Sequence, residues 1–339
     1  MKTRTLNLFS VLIFLTLILQ GFSQETLFPI QDKGGKFGYM NKAGKVVVSA
    51  QYDYAESFSE GMAAVSVGGK RGFIDQTGKV AIEAQYDKTT PFSEGTASGK
   101  KDGKWSYFDK TGKVSLSPTC DYAYKFSDGL ARLQVGSKMG FIDKTGSFVV
   151  KADYDGAYDF SEGFARVKKG NKWGYIDKTG KVAVEFLFDD CFDFMEGMAN
   201  VCKGEESAAK WGFIDKTGKA VIPVKFDRVW PFSEGLALVR VGDFKKGKYG
   251  YINQKGEMII PPTFTGGDYF KEGLACVSTG IDPKNPMFQF IDKKGEIAIN
   301  KNFRYLTTFK NGLAKVSSPD IKEGYSNGYI DKTGKYVWP

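Results

Sequence analysis

The sequence predicts an all-β repeat protein, and three observations carry that expectation. A segment of the form G-[F/Y]-[I/F]-D-[K/Q]-T-G-K returns nine times, opening at Gly38, Gly72, Ser106, Gly140, Gly174, Gly212, Gly250, Gln289 and Gly328. The spacing is 34 residues four times, then 38, 38, 39 and 39, and a fixed period of this size marks one supersecondary unit stacked many times. The two residues after each opening position are always large and apolar, as in Tyr39-Met40, Phe73-Ile74 and Tyr175-Ile176. Neighbours on a strand point to opposite faces, so two adjacent obligate apolar positions require a strand buried on both sides. Finally, every copy places Asp or Asn three residues after the opening position and Gly six residues after it, which suits a type I turn followed by a left-handed bulge residue.

Counting from the opening residue, each element follows in order. The central strand occupies the first positions, and its Asp at +3 can accept the amide two residues on while Gly at +6 takes positive φ without a clash. A second strand follows, for example Lys45–Val48 or Lys181–Val184. Position +14 is aromatic in seven of eight connecting segments, Cys120 being the exception, and +20 is Phe in all eight, from Phe58 to Phe309. An F-S-E-G turn then ends in Gly at +23, and a third strand such as Leu130–Gln134 leads by a short hairpin into the next copy. Each unit therefore reads as a three-stranded antiparallel meander that cannot bury both faces alone and must stack. The longer repeats gain residues after +27, at hairpin tips on one rim of the array. The expected architecture is a tandem array stacked as an open or superhelical solenoid, with a closed β-propeller as the alternative. Leu27–Gln31 already completes the first meander and Gly328–Trp338 the last, leaving no strand to share across a ring. Nine units also exceed the usual four to eight blades.

The stretch Lys172-Trp173-Gly174-Tyr175-Ile176-Asp177-Lys178-Thr179-Gly180-Lys181, followed by Phe188-Asp189 and Glu196-Gly197, resembles the WG (KWG) repeat family, and Lys210–Asp215 matches equally well. The resemblance covers essentially all of Thr26–Pro339. The tryptophan is kept at Trp105, Trp173 and Trp211 and replaced by Phe37, Arg71, Met139, Tyr249, Phe288 and Asn327 elsewhere, so it is not an obligate ligand contact. The resemblance implies a bacterial β-repeat protein, often exported, and carries no catalytic residue to this chain.

Residues 1–23 stand apart from the array of residues 24–339. Lys2 and Arg4, the apolar run Leu6–Leu19 and Gly21-Phe22-Ser23 read as a secretory signal peptide; the run is shorter than a spanning helix needs. The expected destination is the periplasm, cell surface or extracellular space. Without Lys2 and Arg4 the chain keeps 46 basic residues against 39 acidic ones, a balance that serves solubility or an anionic partner such as a polysaccharide. Export disfavours nucleic acid. The absence of histidine removes His-based general-base and nucleophile-activation chemistry and His-ligated metals. The four cysteines form no C-x-x-C pair; Cys191 and Cys202 alone share a unit, and the sequence leaves open whether they are bridged.

The aspartates at +15 (Asp53 to Asp227) and glutamates at +22 (Glu60 to Glu272) recur with the unit, and a turn-capping role explains them better than a metal ladder. Position +18 behaves differently: Glu56 and Thr90, then Tyr124, Tyr158, Phe192 and Trp230 in consecutive copies, then Asp268 and Thr307. The four aromatics, flanked by Tyr122 and Arg228 at +16, are expected to align as a ligand-binding stripe, or else to cover the edge of the Phe +20 core. No catalytic, cofactor or metal residue is expected. The expected function is that of a non-enzymatic envelope or secreted protein binding a protein or glycan. The alternatives are a carbohydrate-binding module and a glycoside hydrolase using a carboxylate pair.

Overall fold

The computed structural model describes residues 26–204, 208–243, 245–280, 287–317 and 327–339. The expected leader and most of the enlarged hairpin tips lie outside the described residues. Among the described residues the chain forms nine separate antiparallel sheets. The first has three strands, β1 (Leu27–Gln31), β2 (Phe37–Asn41) and β3 (Val46–Tyr52); the second runs β4 (Tyr54–Ala55), β5 (Met62–Val67), β6 (Lys70–Asp75) and β7 (Val80–Tyr86) in spatial order. The predicted meander is β5–β6–β7, with the G-F/Y strand in the middle. The sequence reading missed the strand that begins at +16, two residues long except for the six-residue Tyr122–Ser127, which turns the unit into four strands in every sheet but the first. No described helix is long and apolar enough to cross a membrane.

The sheets are blades of a closed nine-bladed β-propeller, so the expected solenoid is wrong. Blades are numbered here by the nine opening residues. Phe28, Ile30 and Met40 of blade 1 share one core with Leu313 and Tyr329 of blade 9. The Phe28 and Tyr329 rings lie 5.8 Å apart, and the Tyr329 hydroxyl donates to the Pro29 carbonyl at 2.8 Å. A shared strand is unnecessary because this side-chain seam buries the two end faces directly. In other blades the carbonyl equivalent to Pro29 accepts the +18 amide, as Ala64 does from Glu56 at 2.9 Å. At the seam the tyrosine hydroxyl takes that place, and proline brings no N–H that would go unmet on an edge strand.

Burial follows the repeat. The +1 rings from Tyr39 to Phe290 are at most 1% exposed and Tyr329 is 7% exposed; the +2 residues are at most 3% exposed. Phe at +20 is buried in seven copies, and only Phe58 is half-buried. Each core is a slab between neighbouring blades: Tyr175, Val184 and Phe188 of blade 5 meet Cys191, Phe194 and Val201 of blade 6. Cys191 and Cys202 are unbridged, and Cys120 packs half-buried against the core, as its repeat position predicts.

The carboxylates cap turns, and those at +22 cap the turn of the next unit. In the F-S-E-G turn both central residues have positive φ, 51° at Glu162 and 87° at Gly163, the geometry of a type I′ hairpin turn. A left-handed glutamate costs about 1–2 kcal/mol. What offsets it is a relay around the ring: Glu60 accepts the Glu94 and Gly95 amides at 2.7 and 2.9 Å, and Glu162 accepts the Gly197 amide at 3.0 Å. Lys216 of the next blade stands 3.2 Å from Glu162. At +15, Asp53 pairs with Lys36 of blade 1 at 2.6 Å and accepts the Gly68 amide of blade 2 at 2.8 Å, clamping two blades together.

Candidate functional site

Tyr158, Phe192 and Trp230 follow directly on two-residue strands, Tyr124 lies within the strand Tyr122–Ser127, and the arc is pinned from below. The Tyr107 hydroxyl donates to the Tyr124 carbonyl at 2.6 Å, and Tyr175 to Phe192 at 2.7 Å, each across a blade boundary. The residue before the opening glycine supports the ring. Tyr158 lies 5.8 Å from Trp173, Phe192 5.6 Å from Trp211, and Trp230 5.6 Å from Tyr249. Tyr122 sits 4.5 Å from both Trp105 and Tyr124. The variable tryptophan of the repeat is thus a prop for the +18 ring. Tyr158 is 42% exposed; Tyr124, Phe192 and Trp230 are half-buried. Because the blades form a ring, the four positions follow an arc through blades 4 to 7 rather than the expected straight line.

Sequence reasoning missed the side chains that join these rings. Arg132 and Arg166 occupy +26, and Asp159 and Asp193 occupy +19 of the following copy, 27 residues later in each case. The Arg132 guanidinium carbon lies 3.6 Å from the Tyr124 ring centre and 5.5 Å from that of Tyr158. Arg166 lies 3.4 Å from Tyr158 and 5.2 Å from Phe192, and Arg228 5.6 Å from Phe192 and 4.5 Å from Trp211. Rings and guanidinium groups therefore alternate in one ribbon, a stacking that suits the planar, weakly hydrated arginine head. Arg132 pairs with Asp159 at 3.2 Å and donates to the Ala157 carbonyl; Arg166 pairs with Asp193 at 2.7 Å and donates to the Cys191 carbonyl. Burial pushes the Asp193 carboxyl up, and the opposing pull of Arg166 does not fully restore it. The readable signal was the break at +26, where Ala64 and Ser98 give way to arginine twice in succession.

At its blade 7 end the ribbon opens into a groove of about 760 Å³, lined by Lys168, Asp190, Trp211, Arg228, Trp230 and Arg240 among others. Cys202 also lines it, but burial, then Asp190 and Asp189, push its thiol up to about 11. Such a thiol is not a nucleophile at neutral pH. Among the described residues no cluster of three or more Cys, Asp or Glu side chains is placed to hold a metal ion. The site can stack, hydrogen-bond and pair charges.

No curated protein sequence matches this chain. Among solved structures, one of a eukaryotic initiation factor is 13% identical, covering 92% of this chain and 95% of that one with a TM-score of 0.64; the likeness is one of fold alone. The dihydro-heme d1 dehydrogenase NirN is 11% identical over 92% of this chain and 72% of its own, at a TM-score of 0.48. Hsv2p of Kluyveromyces lactis is 10% identical over 67% and 87%, at 0.43. The family described as WG containing repeat matches residues 37–70, 72–105, 105–138, 139–173, 173–206, 211–243, 249–280 and 290–318. With these segments spanning well over half of its residues, the chain belongs to the WG containing repeat family.

Proposed function

We propose that this propeller is an exported, non-enzymatic interaction protein of the cell envelope or its surroundings, holding a glycan or protein on the arc of Tyr124, Tyr158, Phe192 and Trp230 with Tyr122 and Arg228. The observation that carries the reading is the ribbon: it departs from the repeat, joins four consecutive blades and leaves aromatic surface accessible. Residues needed only for the fold recur in every unit, whereas these do not. Large, rigid aromatic side chains give contact area at low entropic cost. Export rests on the leader pattern, and mass spectrometry of the secreted chain would show a first residue near Gln24.

Tyr158 is the sharper probe, since Trp230 and Tyr249 also pack against a blade core. On glycan and peptide arrays, Tyr158→Ala should weaken the strongest signal by roughly 2 kcal/mol with an unchanged melting curve. Array products checked by mass spectrometry should remain intact. Undiminished binding by the variant would remove the arc from consideration, and cleaved glycan would remove the non-enzymatic reading.

A further inference from the structure

The groove at the end of the ribbon carries charge that the fold does not consume. Arg228 stands directly opposite Arg240 in the ladder of blade 7, where like charges are unfavourable neighbours. Blade 3 has a similar pair, Lys88 opposite Lys100, but a lysine stem can swing its charge into water. Arg228 is instead stacked against Trp211 and makes no ion pair among the described residues. Two of the carboxylates that line the groove are paired with other cations. Asp189 accepts from Lys172 at 2.5 Å and from the Gly204 amide at 2.9 Å; Asp227 accepts from Lys210 at 2.6 Å and the Gly242 amide at 2.7 Å. One Asp190 oxygen holds the Cys191 amide at 2.8 Å. Lys168, from blade 5, adds a further cation to the groove wall.

We infer that this groove binds a carboxylated sugar, a uronic acid unit of an acidic glycan, with the carboxylate on the Arg228 guanidinium and the pyranose against the half-buried Trp230 ring. Arginine held in plane by stacking presents a fork that matches a carboxylate. Flat indole faces beside planar polar groups suit a sugar ring better than a peptide side chain. The assignment rests on the reading of the ribbon as a binding surface and names the ligand class for its blade 7 end.

Calorimetric titration with tetragalacturonate, its fully methyl-esterified form and neutral cellotetraose tests it. The whole chain should bind the acid at least ten-fold more tightly than the ester, and added salt should weaken that binding. Arg228→Gln should abolish the preference without shifting the melting temperature, and Arg228→Lys should retain only part of it. Failure to bind the acid, or equal affinity for acid and ester, overturns the assignment. Equal binding of all three sugars would do so while leaving the ribbon as a glycan surface. Binding of polyglutamate in place of every sugar would overturn it in favour of an acidic peptide.

Discussion

Position +26 shows how one backbone slot acquires different chemistry. It holds Ala64, Ser98, Arg132, Arg166, Asn200, Leu238, Cys276 and Lys315 in turn. Three of its polar side chains find a partner in the next blade: Ser98 donates to the Ala123 carbonyl at 2.8 Å, and the two arginines reach aspartates. Lys315 shows the cost of burial, which pushes its ammonium pKa down. Asn200 is fully buried, and neither its amide nitrogen nor its oxygen has a hydrogen-bond partner. An unsatisfied buried amide costs about 1–3 kcal/mol, and Leu238 fills the same slot one copy later. Asn200→Leu should therefore raise stability by about 1 kcal/mol or more, seen as a higher urea midpoint at unchanged slope. A lower midpoint would mean that the amide is held. The burial of the +1, +2 and +20 residues was legible because those residues are constant. Arg132 and Asp159 were not, because comparing copies for what recurs passes over residues whose meaning lies in departing from the repeat.

At the scale of the turn, the structure explains why a strained position keeps a carboxylate. The left-handed residue is Glu or Asp from Glu60 to Glu272, and Asn311 replaces it only before the seam. The turn itself was legible from its constant glycine at +23, as was the separate turn in which Asp at +3 accepts the amide two residues on, as Asp75 does from Thr77 at 2.9 Å. The partner of the left-handed carboxylate was not, because the capped amide belongs to a blade whose position depends on the ring. Burial pushes Glu162 and Glu234 up, but the amides of Gly197 and Gly273 and the ammonium groups of Lys216 and Lys293 outweigh it, leaving both below the usual carboxylate range. A folded pKa below the unfolded value means that the stabilisation is present above the unfolded value of about 4.3. It is lost as pH falls through the folded value. Glu162→Gln keeps an acceptor but not the charge, so it should be less stable than the parent at pH 7 and nearly equal to it at pH 2. Urea midpoints at the two pH values decide; an equal gap at both would mean that the relay does not depend on charge.

At the scale of the molecule, the ring explains both what the repeat announced and what it concealed. Nine copies of one meander specify blades that stack, but the angle between stacked blades, which decides whether the array spirals or closes, is set by packing such as that of Phe28 on Tyr329 and is not written in any single unit. The outcome makes one joint unlike the other eight. Blades 5 and 6 are linked through Asp189, the single residue between the strands Val182–Phe188 and Asp190–Cys191, whereas among the described residues blades 9 and 1 meet through side-chain packing and the Tyr329–Pro29 hydrogen bond, with no such single-residue link. Tyr175 makes the analogous bond to Phe192 at a linked joint, so the two tyrosines form a matched pair. Removing either hydroxyl costs about 1 kcal/mol. At the linked joint the chain limits how far the blades separate. At the seam no such link does, and the same loss should raise the population of open rings about five-fold. Hydrogen exchange followed by mass spectrometry should therefore show Tyr329→Phe exchanging about five-fold faster in β1, β2 and the strand Gly328–Asp331, with the distant blades unchanged. Tyr175→Phe should produce no such focus. If both variants exchanged alike, the seam would be no weaker than a linked joint, and the side-chain closure of blade 1 on blade 9 would have to be as strong as covalent tethering.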